Sequence, residues 1–321
     1  MARWLGLAWL GRHGSAVIAA GVFLGLAIPP LASLLKPLLI PAIVAPFLIA
    51  LIRLDWRRLG DYLTRPAPIA LALLWLLVLS PLLVHAVVRL LGGLPAPIHD
   101  GLVLMAAAPP LMASGALALM LGLDAALAVL VTMLASALMP FTLPPIALHL
   151  LGVQIDIALG ELMLRLGLVV VGCFATAWCL RRVLPPGFEL RHAEALDGLA
   201  VLGLLLFATA IMDGVTAMAF EQPRFILLCA LAVFGLNLAL QILGSAAFAW
   251  RGRRQALTLG LCSGNANLGL LLAAMADRAA VELFVFVAVA QLPIYTLPVI
   301  QRPLYRRWLA GEPCPPGGPP G

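Results

Sequence analysis

Apolar residues fill this chain in long blocks, interrupted by short clusters of Arg, Pro, Gly and acidic residues. A block of about 20 apolar residues is long enough to cross a bilayer as a helix. Ten such blocks can be marked, at 15–35, 37–53, 68–91, 98–121, 124–150, 157–180, 194–217, 224–249, 255–276 and 281–301. The first block runs at once into a second, which argues for a retained helix over a cleaved leader. Residues 1–14 set two Trp and several Leu beside Arg3 and Arg12. That mixture predicts a short helix lying at the membrane interface. Residues 302–321 close on the Pro/Gly-rich run GEPCPPGGPPG and are expected to be a disordered tail.

Composition narrows the class. Of 321 residues, 63% are hydrophobic and 11% charged, and the mean hydropathy is +1.09. A soluble domain carries about 25% charged residues. A cytosolic enzyme, a nucleic-acid binder and a disordered chain are therefore excluded. What remains is an all-α membrane protein embedded in a lipid bilayer. The net charge of +6 reports topology: with the N-terminus inside, fifteen of the twenty basic residues fall on the cytoplasmic side and five outside. Ten spans with both termini cytoplasmic, in the inner (cell) membrane, satisfy that bias. The five cysteines show no metal-ligand or disulfide spacing, and no cofactor motif is present. HExxH, GxSxG, a Walker loop and paired Asp clusters are also missing, so the chain does not read as an enzyme or an ATP-driven pump.

Internal symmetry adds a mechanism class. Ser114-Gly115 in span four pairs with Ser263-Gly264 in span nine, and Thr142-Leu143-Pro144 pairs with Thr296-Leu297-Pro298 in span ten. A five-span repeat has an odd number of helices, so its second copy is inverted. The predicted repeats are 15–151 and 152–301. Inverted repeats with Gly/Pro-interrupted helices in matching places point to a secondary transporter with a midplane site. Pro109-Pro110 ahead of Ser114-Gly115 predicts a broken span four, because neither proline donates a backbone hydrogen bond. The polar run Ser263-Gly264-Asn265-Ala266-Asn267 predicts a broken span nine, crossing the first. The competing reading is that these small residues serve close helix packing.

At these positions the chain resembles the bile acid:sodium symporter family of ten-helix carriers. Ser114 matches a first-site serine, Asp124 an acidic residue at the following turn, and Thr132 a sodium-ligating threonine. Gly264, Asn267 and Gly269 match the ninth-span motif. The resemblance implies a core with crossed, broken helices and a panel of spans one, two, six and seven that moves against it. It implies a sodium ion as co-substrate, with Ser114, Thr132, Ser263, Asn265 and Asn267 as candidate cation ligands. Departures are pointed: Cys262 stands at the family's glutamate, Ala266 at its glutamine, Gly115 at an asparagine and Ala128 at a serine. A hard cation favours several oxygens and usually a carboxylate, and no predicted midplane holds one.

The expected substrate is a small or amphipathic organic anion, held by Ser114, Gly115, Ser263, Asn265, Asn267, Gln291 and Tyr295. Gln291 and Tyr295 lie one turn apart just before an expected Thr-Leu-Pro break. An uncoupled facilitator or pore and a proton-coupled carrier remain as alternatives. Asn237, Gln241 and Ser245 form one polar stripe on span eight and read as interhelical glue. Glu161 and Arg165 read as a local ion pair, Asp213 as a solvated end or a guard of the outer mouth, and His85 as a packed neutral imidazole.

Overall fold

The computed structural model describes residues 5–53, 66–151, 159–185, 187–275 and 280–312. In chain order the helices are α1 (Leu5–Arg12), α2 (Gly14–Ala27), α3 (Pro29–Leu35), α4 (Leu39–Ile52), α5 (Pro66–Leu74), α6 (Ser80–Leu91), α7 (Ala96–Ala107), α8 (Ser114–Leu121) and α9 (Ala125–Leu151). There follow α10 (Leu159–Val183), α11 (Phe188–Arg191), α12 (Ala193–Ala210), α13 (Val215–Glu221), α14 (Pro223–Ala247), α15 (Arg253–Gly264), α16 (Leu268–Met275) and α17 (Val281–Trp308). Among the described residues, seven helical stretches are long and apolar enough to cross a membrane: Pro29–Ile52, Pro66–Leu91, Ala125–Leu150, Leu159–Val183, Ala193–Glu221, Pro223–Ala247 and Val281–Trp308. Ala16–Ala27 and Ala96–Ala107 are shorter apolar helices.

Three sequence boundaries move. The expected block 15–35 is divided at Ile28, whose backbone leaves the helical region (φ −128°, ψ 75°) ahead of Pro29. A residue before proline is pushed out of the α region, while proline itself suits a first helical turn. The next stretch then continues from Pro29 to Ile52 through a tight 3₁₀ turn at Lys36–Leu38. Second, no break follows Tyr295: α17 runs unbroken through Pro293, Pro298 and Pro303. Third, residues 302–308, assigned to the tail, are the end of α17, and Tyr305 and Leu309 are buried. The rest of the Pro/Gly-rich run, from 313 on, lies outside the described residues, as do 54–65 with Arg57, Arg58 and Arg65.

Packing is densest within two sets of helices, which also meet each other where α10 lies against α9 and α16 and α2 lies against α17. One is built on α12, which packs against α1, α2 and α4, with α10 against α4. Small residues allow the approach: a Cβ on Gly25 would meet the Thr209 carbonyl at 2.5 Å, and one on Gly203 would meet Pro46 at 2.8 Å. Side chains then tie the group together. Thr209 Oγ1 donates to Gly21 O (3.2 Å) and Thr216 Oγ1 to Leu26 O (2.9 Å). Asp213 accepts from Ser33 Oγ (2.5 Å) and pairs with Lys36 Nζ (2.8 Å), so it is an internal tie rather than a solvated end. The other group packs α14 on α15 and α17, α6 on α7, and α9 on α8. Glu161 and Arg165 form the expected one-turn ion pair at 2.9 Å.

Candidate functional site

The α7 and α15 helices end inside the second group. Pro109 drives Ala108 into an extended backbone (φ −73°, ψ 145°), and helix resumes only at Ser114. On the other side α15 stops at Gly264, Asn265 takes φ −99°, ψ 83°, and α16 begins at Leu268. The two non-helical stretches lie antiparallel, bridged at Pro110 and Ala266. Leu111 N–H donates to Asn265 O, and Asn267 N–H donates to Pro109 O, each at 2.7 Å. Each interruption therefore satisfies backbone groups that the other leaves open. Within a bilayer such pairing is what allows non-helical backbone at all.

Helix ends give this crossover its electrostatics. The first turns of α8 and α16 and the last turns of α7 and α15 all meet it. Helix N-termini favour anions, and helix C-termini favour cations through bare carbonyls. No charged residue lies between Gly101 and Leu123 or between Gln255 and Ala276. The two segments themselves thus bring helix dipoles and no formal charge to the crossover.

The sequence-derived residues are distributed unevenly around it. Among the described residues, Ser114 Oγ, Thr132 Oγ1, Asn265 Oδ1 and Tyr295 OH are buried with no hydrogen-bond partner. Ser114 opens α8, Thr132 lies on α9, which packs on α8, and Asn265 sits in the interruption itself. Asn265 Nδ2 is used locally, on Leu261 O at 3.0 Å. Gly115 faces Val129 of α9, where a side chain would collide. Asn267 is buried and contributes its backbone N–H to the bridge. Gln291 Nε2 turns back to Val287 O at 3.0 Å, in its own helix. Ser263 Oγ donates to Leu259 O (2.7 Å) and accepts from Trp75 Nε1 (2.9 Å).

Asp124 has a structural duty. Its Oδ1 accepts from Leu127 N–H at 3.0 Å, capping α9, and its own N–H donates to Thr258 Oγ1 at 3.0 Å. The polar stripe on α14 does act as glue: Asn237 Nδ2 donates to Gly264 O, and Gln241 Nε2 donates to Asn237 Oδ1, both at 2.7 Å. Gln241 Oε1 then accepts from Tyr305 OH at 3.1 Å. Nothing in the sequence marks Trp75 or Tyr305, since an aromatic in an apolar block carries no signal of what it touches. Cys262 is buried, 2% exposed. A cavity of about 650 Å³ opens elsewhere, beside Gly93, Glu221, Arg224 and Glu282, and includes none of the expected ligands.

A family model for the sodium bile acid symporter family matches residues 37–220, more than half the chain. The chain belongs to the sodium bile acid symporter family. It is accordingly a multi-pass membrane protein of transporter type. The match takes in Ser114, Asp124 and Thr132 and ends before α15, so this family assignment does not depend on the 262–270 motif. No curated protein matches the sequence.

Proposed function

We propose that the chain is a secondary transporter that carries a small or amphipathic organic anion by alternating access around the crossover. In this reading ten crossing segments form two five-segment halves of inverted topology, 15–151 and 152–301, with α7–α8 and α15–α16 as the broken, crossing pair. The group built on α12 is the panel that moves against the remainder. Both termini are cytoplasmic and the membrane is the cell membrane, as the placement of Arg suggests. One observation carries the reading: two interrupted segments share backbone hydrogen bonds at 109–111 and 265–267, with unpartnered Ser114, Thr132, Asn265 and Tyr295 oxygens in the same group of helices. Buried polar atoms without a protein partner are uncommon, and a water, an ion or a polar group of a substrate meets them. Of the other expected substrate residues, Gly115 and Asn267 stay in the set, whereas Ser263 and Gln291 are turned to Leu259, Trp75 and Val287.

A second reading, an uncoupled facilitator, is favoured by the lack of any carboxylate along 101–123 and 255–276. A sodium ion there would rest on hydroxyls, an amide oxygen and carbonyls alone, a weak set for a hard cation. Uptake of radiolabelled organic acids into proteoliposomes tests both readings. Saturable uptake with counterflow is the expected result, and single-channel currents would overturn a carrier. A sodium or proton gradient that drives accumulation supports the symporter. Flux indifferent to both leaves the facilitator.

A further inference from the structure

Between α5 and α6 the helix is not regular. Trp75–Leu79 forms a π-turn, with Ser80 N–H bonded to the Trp75 carbonyl. Such turns are uncommon and concentrate at functional sites. In a regular helix of 3.6 residues per turn, a residue five positions on lies about 140° round the axis. An i→i+5 turn is wound more loosely, so the two residues fall closer together round the axis and Trp75 and Ser80 come toward one face. Trp75 Nε1 donates to Ser263 Oγ at 2.9 Å, two residues before the interruption at Asn265. Ser80 Oγ shares its one proton between Leu76 O at 3.0 Å in its own helix and Ala106 O at 3.2 Å, two residues before the interruption at Ala108. A single turn therefore holds the last turn of both half-helices.

We propose that this π-turn is the latch that sets the spacing and register of the crossover, with Trp75 and Ser80 as positioning residues. Ser263 is then the acceptor of the latch rather than a group that touches substrate or cation. The proposal rests on the crossover being the transport site. Chemistry at Ser263 supports it. The hydroxyl proton is used on Leu259 O at 2.7 Å, and one lone pair is used on Trp75. Behind it, a Cβ on Gly244 of α14 would meet Ser263 Cβ at 2.9 Å, so the helix backbone closes that side. With its proton and one lone pair engaged, the hydroxyl keeps a single lone pair and is a poor ligand for a cation. Because the indole is a donor that does not titrate, the latch holds at any working pH.

The latch can be read through Cys262, the buried neighbour of Ser263. The full chain, with Cys173, Cys179, Cys229 and Cys314 replaced by Ala, is reconstituted in vesicles, and the rate of N-ethylmaleimide labelling is measured. Trp75→Phe keeps a ring and removes the N–H, while Ser263→Ala removes the acceptor. Each is expected to raise the labelling rate about three- to tenfold, as loss of one ordinary hydrogen bond implies. The double variant should go no further than either single. Wild-type labelling in Trp75→Phe, or effects that multiply in the double, overturns the latch. With radiolabelled taurocholate as the transport probe, Trp75→Phe should lower the maximal rate and leave KM unchanged. A change confined to KM would make Trp75 and Ser263 substrate contacts and overturn the proposal. Labelling needs no substrate: a latch that passes in a chain that transports nothing removes only the transport reading.

Discussion

At Asn237 a single buried amide connects three helices. It donates to Gly264 O at the end of α15, accepts from Gln241 on α14, and through Gln241 reaches Tyr305 on α17. Removing it leaves the Gly264 carbonyl and the Gln241 amide unpaired, at about 1–3 kcal/mol for each buried group. Asn237→Leu should therefore lower the unfolding midpoint of the detergent-purified protein, followed by tryptophan fluorescence. An unchanged midpoint would mean that this amide bears no part of the structure. The polar stripe was legible in the sequence, because one polar face on a transmembrane helix has to look toward protein. Its partners were not, since Tyr305 lay in what composition presented as a tail. The same holds for Ser114, Thr132, Asn265 and Tyr295: residue type marked them as candidates, and only burial without a partner set them apart from Ser263 and Gln291.

At the scale of elements, α14 and α15 touch through glycines. A Cβ on Gly264 would meet the Asn237 carbonyl and Gln241 Cγ at 2.6 Å, and both belong to a rigid helix face. Gly264→Ala is expected to destabilise by about 1–3 kcal/mol through overpacking. The monodisperse fraction surviving a heat step should fall. Gly235→Ala, on the same α14 with nothing within 4 Å, is the matched control and should behave as wild type. Should both variants survive equally, the close approach of the two helices would be refuted. Prolines teach a second lesson at this scale. Pro140, Pro144 and Pro145 lie inside α9, and Pro293, Pro298 and Pro303 lie inside α17, yet both helices continue. Pro109-Pro110 does end a helix, and there the opposing stretch 265–267 supplies hydrogen-bond partners. Proline removes a donor everywhere; a break persists where another segment pairs the exposed backbone. That explains why α17 continues through the expected Thr-Leu-Pro break, whereas α7 ends at Ala107 and α15 at Gly264.

For the whole molecule, the two packed groups meet along several seams, with α10 against α9 and α16, α2 against α17, and α4 against α16. Lys36, beside Asp213, lies 5.5 Å from the Phe284 ring of α17, and Ile43 of α4 would contact a Cβ on Gly269 of α16 at 3.2 Å. If transport requires the α12 group to move against the crossover group, joining them should stop it. Lys36→Cys with Phe284→Cys, bridged by a flexible thiol cross-linker, should arrest uptake and regain it on reduction. Full uptake in the cross-linked protein would exclude that relative motion. Composition and block length alone determined that this chain is a helical membrane protein, because a bilayer leaves a backbone few ways to pair its own polar groups. Small and polar residues at 109–115 and 263–267 also stand beside the ends of α7 and α15. Tertiary structure alone decided what those stops do. The hydrogen bonds joining Leu111 to Asn265 and Pro109 to Asn267, and the indole that holds Ser263, are between residues distant in sequence. No local pattern encodes such partners; they exist only once the helices have packed.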